Sequence, residues 1–282
     1  MVLLTGLTSL VASLSTGVAL AKPVKSPSRL AHHDVVAGGW HWRIQTEAGP
    51  VHVWRPGKYE ARSAGVVIYV HGLFTSVDEA FREQKLAEQF AESRQNALFI
   101  VPEAPAAGTD PPNWTSLSAL LEAVFAKTHL SPPPGSLVVM GQSAAYRTIA
   151  PWLTDKGLEK RSGISPIAEV ILIDALYGNE DDYFNWLSRG SGKMTLVARG
   201  TTKWTEPFIK RFKHVSVCDA IPERFEDLSR RQRAAKLLYL RSQYGHMELI
   251  TDGRVVPLLL RRTALKRCRE SSSKKIARAP AP

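Results

Sequence analysis

Cysteine is scarce in this chain. Two, Cys218 and Cys268, stand in 282 residues. Cysteines so far apart in sequence make no metal-ligand pair and no redox dithiol motif, though an exported chain could join them in one disulfide. Acidic residues are also short, 26 against 37 Lys and Arg. No internal repeat is visible, which excludes solenoids and propellers. No Gly-rich phosphate loop or dinucleotide fingerprint occurs, so nothing calls for a nucleotide or other cofactor. Histidines 41 and 52 lie in alternating segments without the spacing of a metal site. Beyond the first twenty residues no apolar run is long enough to cross a bilayer.

The ends differ from the middle. Residues 1–21 are apolar and small, closing on Ala19-Leu20-Ala21 before Lys22-Pro23. They read as a secretory signal peptide, with an uncleaved anchor as the alternative because no Lys or Arg precedes the apolar run. The expected location is therefore secreted or periplasmic. Residues 22–30 form a Pro/Ser/Lys linker, 31–265 the folded domain, and 266–282 a basic tail expected to be disordered. From Arg261 onward, eight Lys and Arg face Glu270 alone, and Lys22, Lys25 and Arg29 add three charges at the other end. Of the total of +11, little remains for the centre. The basicity belongs to the ends, which argues against nucleic acid as a partner. A weak hold on an anionic envelope or membrane surface stays open, beside a merely solvated tail.

Between these ends the pattern is regular. His41-Trp42-Arg43-Ile44-Gln45-Thr46 and Val51-His52-Val53-Trp54 flank a turn and read as an opening antiparallel hairpin. Continuous apolar runs then begin at Gly65, Ala97, Leu137, Ala168, Lys193 and Lys236, as expected of strands buried on both faces. Helix-like segments separate them at 78–93, 117–128, 181–187, 202–212 and 220–235, and a last one covers 255–265. Alternation of this kind predicts an α/β fold with a mostly parallel central sheet and helices on both faces. Ligands bind such sheets outside the carboxyl ends of the strands. His71, Ser143, Asp174 and His246 each follow a strand end.

The segment Leu137-Val138-Val139-Met140-Gly141-Gln142-Ser143-Ala144-Ala145-Tyr146 is the densest in chemistry. Buried strand, small residue, Ser, small residue and helix is the grammar of a nucleophile elbow. Gly141 and Ala145 supply small flanks, Ala145 replacing the more usual Gly. The competing reading is an ordinary strand–loop–helix whose Ser caps the helix.

Taken with His71-Gly72 after a central strand and Gly245-His246 after the last one, this segment resembles the α/β-hydrolase-fold serine hydrolases. The likeness spans roughly residues 40–265. It implies Ser143 as nucleophile, His246 as base and a carboxylate to orient the imidazole. Asp174 is the choice for the acid. The family more often places it one strand later, where Glu206 is the first carboxylate; Asp181, Asp182 and Asp219 are weaker options. The resemblance also implies an oxyanion hole from the N–H of Ala144 and that of Leu73 or Phe74, with His71 and Gly72 organising the loop. Asn113 and Trp114 are placed where they could touch substrate. Trp114, Tyr183, Phe184 and Trp186 suggest a partly apolar site, and core packing explains them equally well.

The expected reaction is acyl transfer from an ester to water, without metal. Two alternatives stay open: a peptidase or amidase acting on envelope material, and a non-catalytic binding protein on a hydrolase fold.

Overall fold

The computed structural model describes residues 33–158 and 163–269. The signal-peptide and linker segments, and the tail beyond Arg269, lie outside the described residues. Within them the sheet has ten strands: β1 (His33–Val36), β2 (Gly39–Thr46), β3 (Gly49–Pro56), β4 (Gly65–Val70), β5 (Ala97–Pro102), β6 (Leu137–Gln142), β7 (Ile167–Ile173), β8 (Lys193–Ala198), β9 (Ser216–Cys218) and β10 (Leu237–Arg241). Their order is β1-β2-β3-β5-β4-β6-β7-β8-β10-β9. Pairings among β1, β2, β3 and β5 are antiparallel. From β5 onward every pairing is parallel.

The continuous apolar runs are the cause. Every residue of β4, β5 and β6 is buried, because helices cover both faces of a parallel sheet. Alternate residues of one strand feed opposite cores. Val66, Ile68 and Val70 join one cluster with α3 (Leu117–Thr128), and Val67 and Tyr69 join the other.

Several boundaries differ from the sequence reading. The single helix expected over 78–93 is two, α1 (Val77–Glu83) and α2 (Leu86–Ser93), parted at Lys85, whose φ is +49°. The break lets buried Gln84 accept a 2.8 Å hydrogen bond from Tyr69 Oη. The charged stretch 220–235 yields a one-turn 3₁₀ segment and a short helix, Arg230–Ala234. Ile221 and Leu228 reach the core from the segment before this short helix, and the five helical residues bury none of their own side chains. Strands β1 and β9 are edge strands that the sequence reading did not include. Residues 266–268 remain on the body: Lys266 O accepts from Asn96 N at 2.7 Å, and Cys268 N donates to Arg94 O at 2.8 Å. Both cysteines are free. Among the described residues, no helix is long and apolar enough to cross a membrane.

Candidate active site

The central strands deliver the site. β6 ends at Gln142, and Ser143 opens a 3₁₀ turn, 143–145, that runs into the helix Tyr146–Trp152. Ser143 holds φ at +57°, a left-handed conformation that costs a non-glycine residue energy. Gly141 makes the turn possible. A Cβ there would meet Ile149 Cδ1 at 2.5 Å and Ala145 Cβ at 2.6 Å. Ala145 therefore fits because Gly141 faces it, and the second flank needs no glycine.

Asp174 follows β7 and also has positive φ, +46°. Its carboxylate is fully buried and surrounded by donors. Arg199 N and Gly200 N reach Oδ1 and Oδ2 at 2.9 and 3.0 Å. Thr201 reaches Oδ1 with both N–H and hydroxyl at 2.8 Å. His246 Nδ1 donates to Oδ2 at 2.7 Å. Burial would raise this carboxyl, but the His246 bond and the three backbone N–H groups outweigh it and hold the group well below the usual carboxylate range. It is ionised at neutral pH, so His246 carries its proton on Nδ1 when the ring is neutral. The other ring nitrogen, Nε2, faces the Gln142 amide nitrogen at 2.9 Å.

This explains where the acid stands. The turn after β8, where the family more often places it, here supplies N–H groups to a carboxylate from β7. Glu206 and Asp219 pair with Arg241, Asp181 pairs with Arg211, and Asp182 accepts from Asn179. None of the four contacts His246.

The His71 loop lies against the elbow. A Cβ on Gly72 would come within 2.9 Å of Ser143 Cβ, so only glycine allows this approach. His71 is buried, its Nδ1 2.8 Å from Gly72 O and its Nε2 3.1 Å from Glu103 Oε1. Glu103 Oε1 also accepts from Val77 N at 3.1 Å, tying the loop to the start of α1. Phe74 N is committed to Ala106 O at 2.9 Å. Of the two expected donors in this loop, Leu73 is therefore the one whose N–H is left for an oxyanion.

Ser143 and His246 open into one cleft of about 450 Å³. Leu73, Phe74, Ala80 and Met247 give it an apolar side, and Glu79 and Glu83 an acidic one. Phe74 and Met247 are 89% and 55% exposed, large apolar side chains left in water at its rim. Asn113 and Trp114 do not line it. Asn113 donates to Ala48 O, and Trp114 is buried with its carbonyl accepting from Trp152 Nε1. Tyr183, Phe184 and Trp186 pack in or against the core, which is the packing explanation of these aromatics. Gln142, Glu103 and Thr201 had no assigned role in the sequence. Gln142 stands inside the elbow motif, Thr201 follows a strand end at a helix start, and Glu103 directly follows the end of β5. Among the described residues no group of three or more His, Cys, Asp or Glu could hold a metal ion.

No protein-family model and no curated protein matches the chain. Solved structures do. The feruloyl esterase module of Clostridium thermocellum, solved with sinapinate, aligns at TM-score 0.51 with 10% identity, over 83% of this chain and 94% of its own. An S-formylglutathione hydrolase from Agrobacterium tumefaciens aligns at TM-score 0.47 with 13% identity, over 82% of this chain and 97% of its own. The fold, an open and mostly parallel sheet with helices, is that of the α/β-hydrolases.

Proposed function

We propose that this chain is an exported serine hydrolase that cleaves a carboxylic ester through an acyl-enzyme on Ser143. One observation carries the reading: a buried, ionised Asp174 holds His246 at 2.7 Å, and the far nitrogen of that ring shares a cleft with a serine at positive φ. A structural Ser and a surface His need neither the strain nor the buried acid.

In this mechanism Ser143 Oγ attacks the ester carbonyl carbon as its proton passes to His246 Nε2. Asp174 stabilises the imidazolium. The N–H groups of Leu73 and Ala144 receive the oxyanion. His246 then gives the proton to the departing alkoxide, leaving the acyl-enzyme. Water, deprotonated by the same nitrogen, attacks the acyl carbon, and the proton returns to Ser143 as the acid leaves. The apolar rim suits a short or aromatic acyl group. Export is argued from residues 1–21 of the sequence, and a weak hold on anionic surfaces from the basic tail.

Labelling with a fluorophosphonate probe tests the reading. The wild type is expected to label, and Ser143→Ala and His246→Ala are expected to lose labelling. A folded wild type that does not react would favour the binding-protein alternative.

A further inference from the structure

The catalytic base in this structure is already engaged, and its partner is not the serine. A neutral imidazole whose Nδ1–H is given to Asp174 has one lone pair left, on Nε2. The Gln142 amide nitrogen lies 2.9 Å from it. Ser143 Oγ makes no hydrogen bond to His246. One lone pair in this plane accepts one well-aligned donor, so the Gln142 N–H and the Ser143 O–H compete for it.

The Gln142 side chain is held in place. It is 2% exposed. Its amide oxygen lies where a Cβ on Gly72 would approach to 2.4 Å, and the same Cβ would approach Ser143 Cβ at 2.9 Å. Gly72 thus leaves a slot, and the Gln142 amide occupies it between the oxyanion loop and the base. The backbone at Gln142 is ordinary extended strand, φ −115° and ψ 140°, so this placement costs no backbone strain.

We propose that Gln142 is a positioning residue that holds the His246 lone pair in the resting enzyme, so that Ser143 gains its base only when the Gln142 amide leaves Nε2. The inference rests on the hydrolase reading above. The exchange is one of hydrogen bonds alone: the Gln142 N–H leaves Nε2, the Ser143 O–H replaces it, and the serine proton crosses to Nε2 as the O–C bond to the acyl carbon forms. Gln142 neither gains nor loses a proton. In the resting state the arrangement fixes the ring orientation and the tautomer, and keeps the serine unactivated while the cleft holds only water. A substrate in the cleft supplies the occupancy that turns the amide aside. The free energy of the Gln142–His246 bond is then drawn from substrate binding, which raises KM more than it lowers kcat.

Gln142→Met keeps the length of the side chain and removes the donor. Its second-order rate of fluorophosphonate labelling is expected to exceed that of the wild type by up to about tenfold, the range a single hydrogen bond spans. For p-nitrophenyl butyrate, kcat/KM is expected to rise by the same factor, with most of the gain coming from a lower KM. Gln142→Glu is expected to label more slowly than the wild type, because a carboxylate beside Nε2 keeps a proton there. A wild type that labels, with a folded Gln142→Met variant no faster, overturns this inference and leaves the hydrolase reading intact. Failure of both proteins to label overturns the hydrolase reading instead. If Gln142→Met does not fold, the ¹⁵N resonance of His246 Nε2 is compared between wild type and Ser143→Ala. An unchanged resonance supports Gln142 as the partner. A shift on loss of the serine hydroxyl overturns it.

Discussion

Thr201 reaches one oxygen of Asp174 twice, with its backbone N–H and its hydroxyl, each at 2.8 Å. The two residues come from neighbouring strand ends, β7 and β8. Their contact is what allows a carboxylate on β7 to serve a histidine that follows β10. Thr201→Val retains the shape and the N–H and removes the hydroxyl. Unfolding in urea is expected to show a loss of about 1–2 kcal/mol, with ester turnover reduced several-fold and restored by Thr201→Ser. In the proposed mechanism Asp174→Asn would remove the charge that stabilises the imidazolium and would permit the wrong tautomer. Turnover is expected to fall by about 10³–10⁴-fold.

Gly141 and Ala145 form a matched pair at the elbow. Gly141→Ala brings a methyl into Ile149 and Ala145 at distances no packed carbon adopts. Overpacking of this kind costs about 1–3 kcal/mol, to be read as a lower denaturant midpoint. Gly141→Ala combined with Ala145→Gly should recover part of that loss. Recovery would tie the cost to this contact, because the second substitution removes one of the two clashing atoms.

A chain of side chains beside α1, with two buried histidines at its centre, predicts acid sensitivity. His41 Nδ1 contacts Asp34, His41 Nε2 contacts His52 Nδ1 at 2.8 Å, and His52 Nε2 contacts Asp78, which Arg43 also holds. Burial pushes His52 down to about 4, against the opposing pull of Asp78. A histidine depressed in the folded state binds protons more readily unfolded. Its contribution is therefore intact above the unfolded value of about 6.5 and is lost as pH falls toward 4, by up to roughly 3 kcal/mol. Thermal midpoints measured from pH 7 to pH 4 should fall, and His52→Gln should flatten the slope between pH 6.5 and 4. An equal slope in the variant would assign the effect elsewhere. Asp78, held near 2 chiefly by Arg43, is depressed as well, and its contribution is lost only at lower pH.

The charged residues lining the cleft beside His246 are Glu79 and Glu83. Esters carrying a negative charge should be turned over less well than neutral esters of equal size. Glu79 caps α1 through Ser76, so Glu83 is the better site for a change. Glu83→Lys is expected to raise kcat/KM for a succinate monoester relative to a butyrate ester by about three- to tenfold at low salt, and less at high salt.

The elements legible in the sequence are those set by local pattern. Unbroken apolar runs announced the buried parallel strands. The small–x–Ser–x–small segment announced the elbow, and chain order put Asp174 and His246 at the same sheet edge as Ser143. These features depend on residues within a few positions of one another, or on period alone. What tertiary structure decided depends on contacts between distant segments. Lys85 breaks a helix that periodicity would continue, because Gln84 is turned inward to Tyr69. Asn113 and Trp114, in the loop 103–114 that follows β5, pack away from the cleft, while Phe74 and Met247 reach it. The partner of His246 Nε2 in this resting state is Gln142, a choice made by the absence of a side chain at Gly72, seventy residues earlier. Residue types and their order specified which chemistry the chain carries. Packing between segments remote in sequence specified which donor the base holds, which walls the cleft has and which carboxylate stays charged when buried, because each of these depends on distances that only the folded chain defines.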